Sequence, residues 1–336
     1  MKINDRPIDQ DHSPYIIAEL GINHNGDVAI ARKLLEAAAQ SGADAAKLQT
    51  FKTENFISRS SDFFDLLKDT ELSAEDNASL IDQAKALGIT LFSAVFDEQS
   101  ADLWAGMDAT AYKMASGELT HLPLLRHVAA KGRPMIISTG GGTVEEIDAA
   151  TTAIKTAGPN TQYAILHCIS NYPTQPKDAN LACMAGLRDR FGVPVGFSDH
   201  TEGTGTAIAA AALGAEIIEK HFTLDRSMPG PDQALSTTPD EFKDMVDCIR
   251  DAHAAIGSSD KVPVEPADFI PQIRRSLTMS KDIAAGATIT ADMIAFKRPG
   301  TGIAPDDVDK VVGQKAAQDI TADETLTWDM VQNPND

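Results

Sequence analysis

Residues 15–50 read YIIAELGINHNGDVAIARKLLEAAAQSGADAAKLQT, and they hold one complete folding unit. Tyr15–Leu20 is a short apolar run carrying a single charge, Glu19, near its end. The Gly- and Asn-rich stretch after it reads as a loop. Val28–Gln40 spaces its apolar residues as an amphipathic helix does, and Ala45–Gln49 opens a second apolar run. A strand, a helix and a strand in that order form a parallel crossover. The same beat continues to about residue 257. Further strands are expected at Ile89–Val95, Ala111–Ala115, Pro134–Thr139, Tyr163–Cys168, Pro194–Ser198 and Glu216–Phe222, with helices between them such as Val144–Ala157. Ser73, with Asp76 three residues on, reads as a capping box opening another helix. Pro239 suits the first turn of the last helix and Gly257 its end. Eight short strands buried on both faces, each followed by a helix, favour closure into a (β/α)8 barrel over an open doubly wound sheet. No GxGxxG follows the first strand, which weakens a dinucleotide-binding reading.

The chain is 336 residues long, and a barrel of roughly 250 leaves a small domain over. The reading is an α/β barrel over residues 1–260, a linker over 261–275 and a mostly β domain over 276–336. The linker carries three prolines in KVPVEPADFIP (261–271) and little periodicity. The last segment is dense in turns, with strands expected at Leu277–Ser280 and Ala295–Lys297 and a turn at Ala285-Gly286. About 60 residues make a marginal core. Docking on the barrel or on another subunit would supply the missing burial.

A net charge of −20 argues against nucleic acid, which needs basic surface. It leaves room for an anionic small molecule, because a few lysines inside a cleft can dominate locally. No apolar run approaches the roughly 20 residues of a membrane span, and the N-terminus lacks the regions of a signal peptide. Cys168, Cys183 and Cys248 have no metal-type spacing and are odd in number. They read as reduced thiols of a cytoplasmic protein.

In such a barrel, reactive groups sit where strands end and the following loops begin. The first end carries Glu19 and the loop Asn23-His24-Asn25-Gly26; the second, Lys47 and Gln49; the fourth, Lys113, Ser116 and Glu118. The fifth carries Ser138 and Thr139, the sixth Ser170 and Tyr172, the seventh Ser198, Asp199 and His200, and the eighth His221. The third is less polar, with Ser93 then Ala94. A single Ser or Asn there is as well explained by contact with water. Lysine inside an apolar strand is not, because it is seldom buried without a partner. His200 and His221 end adjacent strands, close enough to share a metal, with Glu19 and Asp232 available nearby. Two imidazoles leave coordination positions for water and substrate oxygens, as suits a divalent ion used as a Lewis acid. His12, His121, His127 and His253 receive no role, and His167 reads as a satisfied core residue.

The segments AELGINHNG (18–26), AAKLQTFK (45–52), YKMASGEL (112–119), HCISNYPT (167–174), GFSDHT (196–201), EKHFTLDRSMPGPD (219–232) and KRPGTG (297–302) resemble the sialic acid synthase family, in order and nearly end to end. That family comprises N-acetylneuraminate, legionaminate and pseudaminate synthases. The resemblance implies a TIM barrel followed by an antifreeze-like (SAF, β-clip) domain, arranged as a domain-swapped homodimer. The implied activity is metal-dependent condensation of phosphoenolpyruvate with N-acetylmannosamine or a close analogue, releasing phosphate. The alternative sugar is 2,4-diacetamido-2,4,6-trideoxymannose, which would make the enzyme a legionaminate synthase. The implied metal is Mn²⁺, with Mg²⁺ or Co²⁺ as substitutes, on His200 and His221. Phosphoenolpyruvate would contact Lys47, Lys113, Ser116, Ser138, Ser170 and Ser198. The sugar would contact Gln49, Glu118, Tyr172, Asp232 and, from the partner subunit, Arg298. Glu19 would act near the carbon under attack. Two departures stand out. Ser93-Ala94-Val95-Phe96 lacks a hydroxyl that many members carry at Ala94, and Ser170 stands where some place asparagine. The ELGINH and ASGEL wording leans towards the neuraminate or legionaminate type. Two rival readings are a Schiff-base aldolase using Lys47 or Lys113, which leaves the histidine pair without a purpose, and a non-catalytic sugar- or ice-binding protein, which leaves seven polar strand ends unexplained.

Overall fold

Successive side chains of a strand point to opposite sides, and in this chain the alternation separates two cores. The computed structural model describes residues 1–332. Its barrel strands are β1 (Tyr15–Gly21), β2 (Ala45–Thr50), β3 (Thr90–Val95), β4 (Tyr112–Met114), β5 (Met135–Ser138), β6 (Tyr163–Cys168), β7 (Val195–Asp199) and β8 (Ile217–His221). They form one closed parallel barrel, shut by β8 against β1 with Ile217 opposite Tyr15 and His221 opposite Glu19. Residues of one parity, such as Ile16, Ala18, Leu20, Leu48, Ile137 and Ile218, pack under the helices. Residues of the other parity, Tyr15, Ile17, Ala45, Phe92, Ala111, Ile136, Ala164, Leu166 and Ile217, fill the lower interior. A TIM barrel is therefore solid at this level. Gly196 shows how tight it is: a Cβ there would lie 2.3 Å from the Ile217 carbonyl oxygen and 2.7 Å from the Ile217 Cβ.

The helices lie where periodicity places them. Val28–Gln40 turns Ala31, Leu34, Leu35 and Ala38 inward, the i, i+3, i+4, i+7 face of an amphipathic helix. Val144–Ala157 has the expected bounds, and its Thr143–Glu146 capping box fixes its start. Ser73 and Asp76 form the expected box at Ala74–Leu87. Pro239 opens Pro239–Ile256, again behind a capping box, and Gly257 ends it. Each such cap contributes about 1 kcal/mol. The expected strands differ from the observed ones only at their ends. Ala111–Ala115, for instance, shortens to β4 because a one-turn helix, Ser116–Glu118, begins directly after Ala115.

The chain divides into two compact units, Met1–Gly257 and a second that begins at Ser258. Residues 261–269, within the expected linker, are exposed, and its end forms a short helix, Ile270–Ile273. Beyond it, β9 (Ser276–Met279) and β10 (Ile294–Lys297) pair antiparallel. Leu277, Met279, Ile283, Ile289, Ile303, Val311, Ala316, Ile320 and Leu326 are the buried core of that unit. The last four residues of the expected domain, 333–336, lie outside the described residues. Among the described residues, no helix is long and apolar enough to cross a membrane.

Candidate active site

Above the apolar layer, the same inward parity turns polar. Following each column upward gives Ile17 then Glu19, Ala45 then Lys47 and Gln49, Ala111 then Lys113, and Ile136 then Ser138. The remaining columns give Leu166 then Cys168, Gly196 then Ser198, and Ile217 then Glu219 and His221. These side chains, with Ser116, Ser170, Tyr172 and His200 from the loops above, line a cavity of about 140 Å³ at the C-terminal mouth. A roomier hollow of about 350 Å³ opens at the opposite end, beside Arg188, Leu213, Glu216 and Ile256. Converging charge, rather than volume, marks the mouth as the chemical end.

Four buried charges meet there. Lys47 Nζ lies 2.9 Å from Glu19 Oε2 and 3.5 Å from Glu219 Oε2, and Lys113 Nζ lies 3.7 Å from Glu219 Oε1. Gln49 Nε2 donates to Glu19 Oε1 at 2.9 Å, and the Ser198 hydroxyl donates to Glu219 Oε1 at 2.9 Å. The two carboxyls separate in acidity. Burial opposes ionisation of Glu219, but Lys113 and Lys47 outweigh it and hold the carboxyl well below the usual range. Burial pushes Glu19 up to about 7; Lys47 alone opposes this among the cations, and the Glu219 charge adds to it. Although Lys47 touches both, Glu219 has two cations and a hydroxyl while Glu19 has one cation and an amide. Glu219 is therefore the ionised partner, and Glu19 titrates near neutrality. Burial lowers Lys113. Burial also works against the charge of Lys47, but Glu19 and Glu219 outweigh it and raise its pKa.

The two histidines sit side by side, ring centroids 5.3 Å apart. His200 Nδ1 donates to the Ile169 carbonyl at 2.8 Å, which leaves Nε2 as its lone-pair atom. Burial lowers His221, so it is neutral at physiological pH. Its Nδ1 is buried without a hydrogen-bond partner, with Asp232 Oδ2 at 3.8 Å. Imidazole nitrogens presenting free lone pairs fit a divalent cation. Among the described residues, no three His, Cys, Asp or Glu side chains cluster as a full metal cage. A cation here would complete its shell with water or substrate oxygens. The Ser138 hydroxyl is likewise buried without a hydrogen-bond partner, and polar groups left so in a cavity are ones a bound ligand can satisfy.

Residues 34–261 match the NeuB family, and residues 274–332 match the SAF domain. The chain belongs to the NeuB family. It is 41% identical to the N,N'-diacetyllegionaminic acid synthase of Legionella pneumophila, covering 95% of this chain and 94% of that protein. It is 31% identical to the N-acetylneuraminate-9-phosphate synthase of Mus musculus, covering 96% and 94%. Among solved structures, the N-acetylneuraminic acid synthetase of Leptospira borgpetersenii superposes with a TM-score of 0.73 at 30% identity, over 77% of this chain and 89% of that one. As a NeuB-family chain it is an enzyme of the sialic acid synthase class, with a TIM barrel and a SAF domain.

The cavity of this NeuB-family barrel brings together eleven of the fourteen residues singled out in the sequence: Glu19, Lys47, Gln49, Lys113, Ser116, Ser138, Ser170, Tyr172, Ser198, His200 and His221. The other three do not line it. Glu118 is buried in the one-turn helix beside it and faces His121 Nδ1 at 2.9 Å. Asp232 stands behind His221. Arg298 is exposed in the second unit. Asp199, expected at the mouth, faces outward instead and pairs with Lys220 Nζ at 2.9 Å. Thr139 donates to the Leu166 carbonyl, and Asn23 ties its loop to Phe222 and Ser236. Ala94 is fully buried in an apolar cluster with Ile22, Phe51 and Phe96. His167 is satisfied by the Ala179 carbonyl, as expected. Four other residues line it; Ala115 and Gly117 carry no side-chain chemistry, and the two that do went unassigned in the sequence. Glu219 lies two positions before His221 and so shares its face. Cys168, two positions after Leu166, places Sγ 3.7 Å from His200 Nδ1. Stepping by two from a known inward residue of the same strand, Leu166 or His221, would have found both.

Proposed function

We propose that this enzyme condenses phosphoenolpyruvate with an acylated mannosamine-type aldehyde, releasing phosphate and giving a nonulosonic acid. The observation that carries the proposal is the pairing, in one cavity, of two buried lysines with two adjacent histidines. Lys47 and Lys113, with the hydroxyls of Ser116, Ser138, Ser170 and Ser198, would hold the phosphate and carboxylate. His200 and His221 would hold a divalent ion, with Mn²⁺ the first choice, and that ion supplies a Lewis acid for an aldehyde oxygen. Gln49 and Tyr172 would orient the sugar, with Glu118 and Asp232 at its margin. Arg298 would come from a second copy of the chain, as the family's swapped dimer implies.

In the reaction, C3 of the enol forms a bond to the aldehyde carbon, the aldehyde oxygen takes the carbonyl electron pair and a proton, and C2 becomes electron-poor. Water adds at C2 and gives up one proton. The C2–O bond to phosphate then breaks with its electron pair leaving on phosphate, while the new C2 hydroxyl loses its proton and becomes the keto oxygen. Glu19 is suited to take the water proton, because a carboxyl titrating near neutrality exchanges protons at the working pH. Glu219, ionised between the lysines, keeps both of them charged and in place. Holding two reactants in line in a dry cavity supplies most of the remaining acceleration.

For the sugar, 2,4-diacetamido-2,4,6-trideoxymannose is a second reading beside N-acetylmannosamine. It is favoured by relatives named as diacetyllegionaminic acid synthases at 41% and 37% identity, against 31% for the neuraminate-9-phosphate synthase. The test is phosphate release and product mass with phosphoenolpyruvate, Mn²⁺ and a panel of acylated hexosamines. No nine-carbon acid from any of them would overturn the proposal. A stable borohydride-trapped adduct with a keto acid would favour the aldolase instead.

A further inference from the structure

Behind the cavity wall lies an ion pair that touches no part of the site. Lys220 Nζ is 2.9 Å from Asp199 Oδ2, and both side chains are fully buried. They are register partners on β8 and β7, and each directly precedes a histidine: His221 follows Lys220, and His200 follows Asp199. Alternation turns both away from the cavity.

His221 lies on its strand and is paired with Glu19. His200 does not, because β7 ends at Asp199. Its carbonyl accepts the Thr174 amide N–H at 2.9 Å, and a clamp holds the residues on either side of it. Asp199 Oδ1 accepts the Thr201 amide N–H at 2.8 Å, closing a turn around His200. Lys220 Nζ also donates to the Thr201 carbonyl. Lys220 thus grips the residues on both sides of His200 from the position next to His221. Stability is a poor reason for such a pair, since replacing a buried pair by apolar residues is often neutral or stabilising.

We infer that the Asp199–Lys220 pair sets the spacing of the His200 and His221 imidazoles, and through it the affinity of the site for a divalent ion. Both residues are positioning residues, and the inference rests on the metal reading given above. Groups that orient metal-binding histidines typically change affinity by roughly 10–100-fold when removed.

The test uses the full-length protein, stripped of metal, with free Mn²⁺ followed by its EPR signal. The double variant Asp199→Asn, Lys220→Met removes both charges together and keeps the acceptor for the Thr201 amide. Its thermal midpoint without metal should stay near that of the native protein, while its Kd for Mn²⁺ rises tenfold or more. The KM for phosphoenolpyruvate at saturating Mn²⁺ should move less than threefold. A folded variant whose Mn²⁺ Kd rises less than tenfold overturns the inference. So does an equal loss of Mn²⁺ and phosphoenolpyruvate affinity, which would mean the barrel mouth has loosened generally. Failure of the native chain to bind Mn²⁺ would overturn the metal reading and the inference with it. If the double variant does not fold, Asp199→Asn alone, which sets an amide N–H₂ against Lys220, is held to the same outcomes.

Discussion

Replacing Lys47 by methionine keeps most of the side chain's bulk and deletes one of four buried charges. Two consequences separate cleanly. For binding, the phosphoenolpyruvate anion loses one of its two lysines. A unit charge about 4 Å away contributes about 4 kcal/mol at an effective dielectric of about 20, and a charge-assisted hydrogen bond contributes about 1.5–3 kcal/mol. Taking about 3–4 kcal/mol, and about 1.4 kcal/mol per factor of ten, the KM for phosphoenolpyruvate should rise roughly 10²–10³-fold. The sugar, which Lys47 does not hold in this mechanism, should show a KM change of a few-fold at most. For stability, the variant leaves Glu19 Oε2 and Glu219 Oε2, 2.9 and 3.5 Å from the lost ammonium, without that cation. Removing one partner of a buried pair costs about 3–5 kcal/mol when the other stays charged. Glu19, already poised near neutrality, escapes most of that by keeping its proton. Glu219 keeps Lys113 as its partner, so the thermal midpoint of Lys47→Met should fall by much less than that full cost. The assay is initial-rate kinetics with each substrate varied at saturation of the other, beside a melting curve for each variant. Equal rises in both KM values would refute the assignment, as would a phosphoenolpyruvate KM within threefold of native.

Chelation should abolish turnover and Mn²⁺ should restore it, and His200→Ala and His221→Ala should each lower kcat by orders of magnitude; full activity after exhaustive metal removal would refute the histidine site. Glu19 has a folded-state pKa raised from 4.5 to about 7, so the native state binds its proton more tightly than the unfolded chain does. Its contribution to stability is then fully present below about pH 4.5 and is lost as pH rises through 7. Glu19→Gln should accordingly be more stable than the native protein above pH 7, by about 3 kcal/mol, and should lose that advantage near pH 4; parallel stability–pH curves would refute the shift. If Arg298 acts across a dimer, mixing inactive Arg298→Ala and His221→Ala proteins under subunit exchange should restore up to half the sites of each mixed dimer. Confirmed exchange with no recovered activity would place it in its own subunit's site.

The barrel was legible because its signals are local. Each strand is a run of apolar residues long enough to be buried on both faces, each helix carries a 3.6-residue stripe, and the caps at Ser73, Thr143 and Thr238 mark where the period changes. Strand ends were less legible. Ala115 and Phe222 are apolar and read as strand, and only the turn that follows decides where the ladder stops. The second unit gave weaker signals, because its pairing runs largely through single bridges such as Ile283 with Ile320 and Ala316 with Val331. Those partners are far apart in sequence, and no periodicity announces them.

The site was legible through a positional rule, and it failed where that rule was applied without the pleat. Searching strand ends finds every polar residue near the mouth, whichever way it points. It therefore gathered Asp199 with Ser198 and His200, although neighbouring residues on a strand face opposite sides. It also passed over Glu219, which lies two positions before the end of its strand. The pleat reverses both assignments. Glu219 shares the parity of His221 and enters the charge cluster with Lys47 and Lys113. Lys220 shares the parity of Asp199 and leaves the cavity with it. In the segment Glu219-Lys220-His221, one charge balances the lysines that would meet the substrate anion. The next pairs with Asp199 of β7 on the outer side, and the third residue faces the cavity beside His200. Three consecutive polar residues at the end of one barrel strand thus serve both faces of the wall, and only the direction of each Cβ tells which face each one serves.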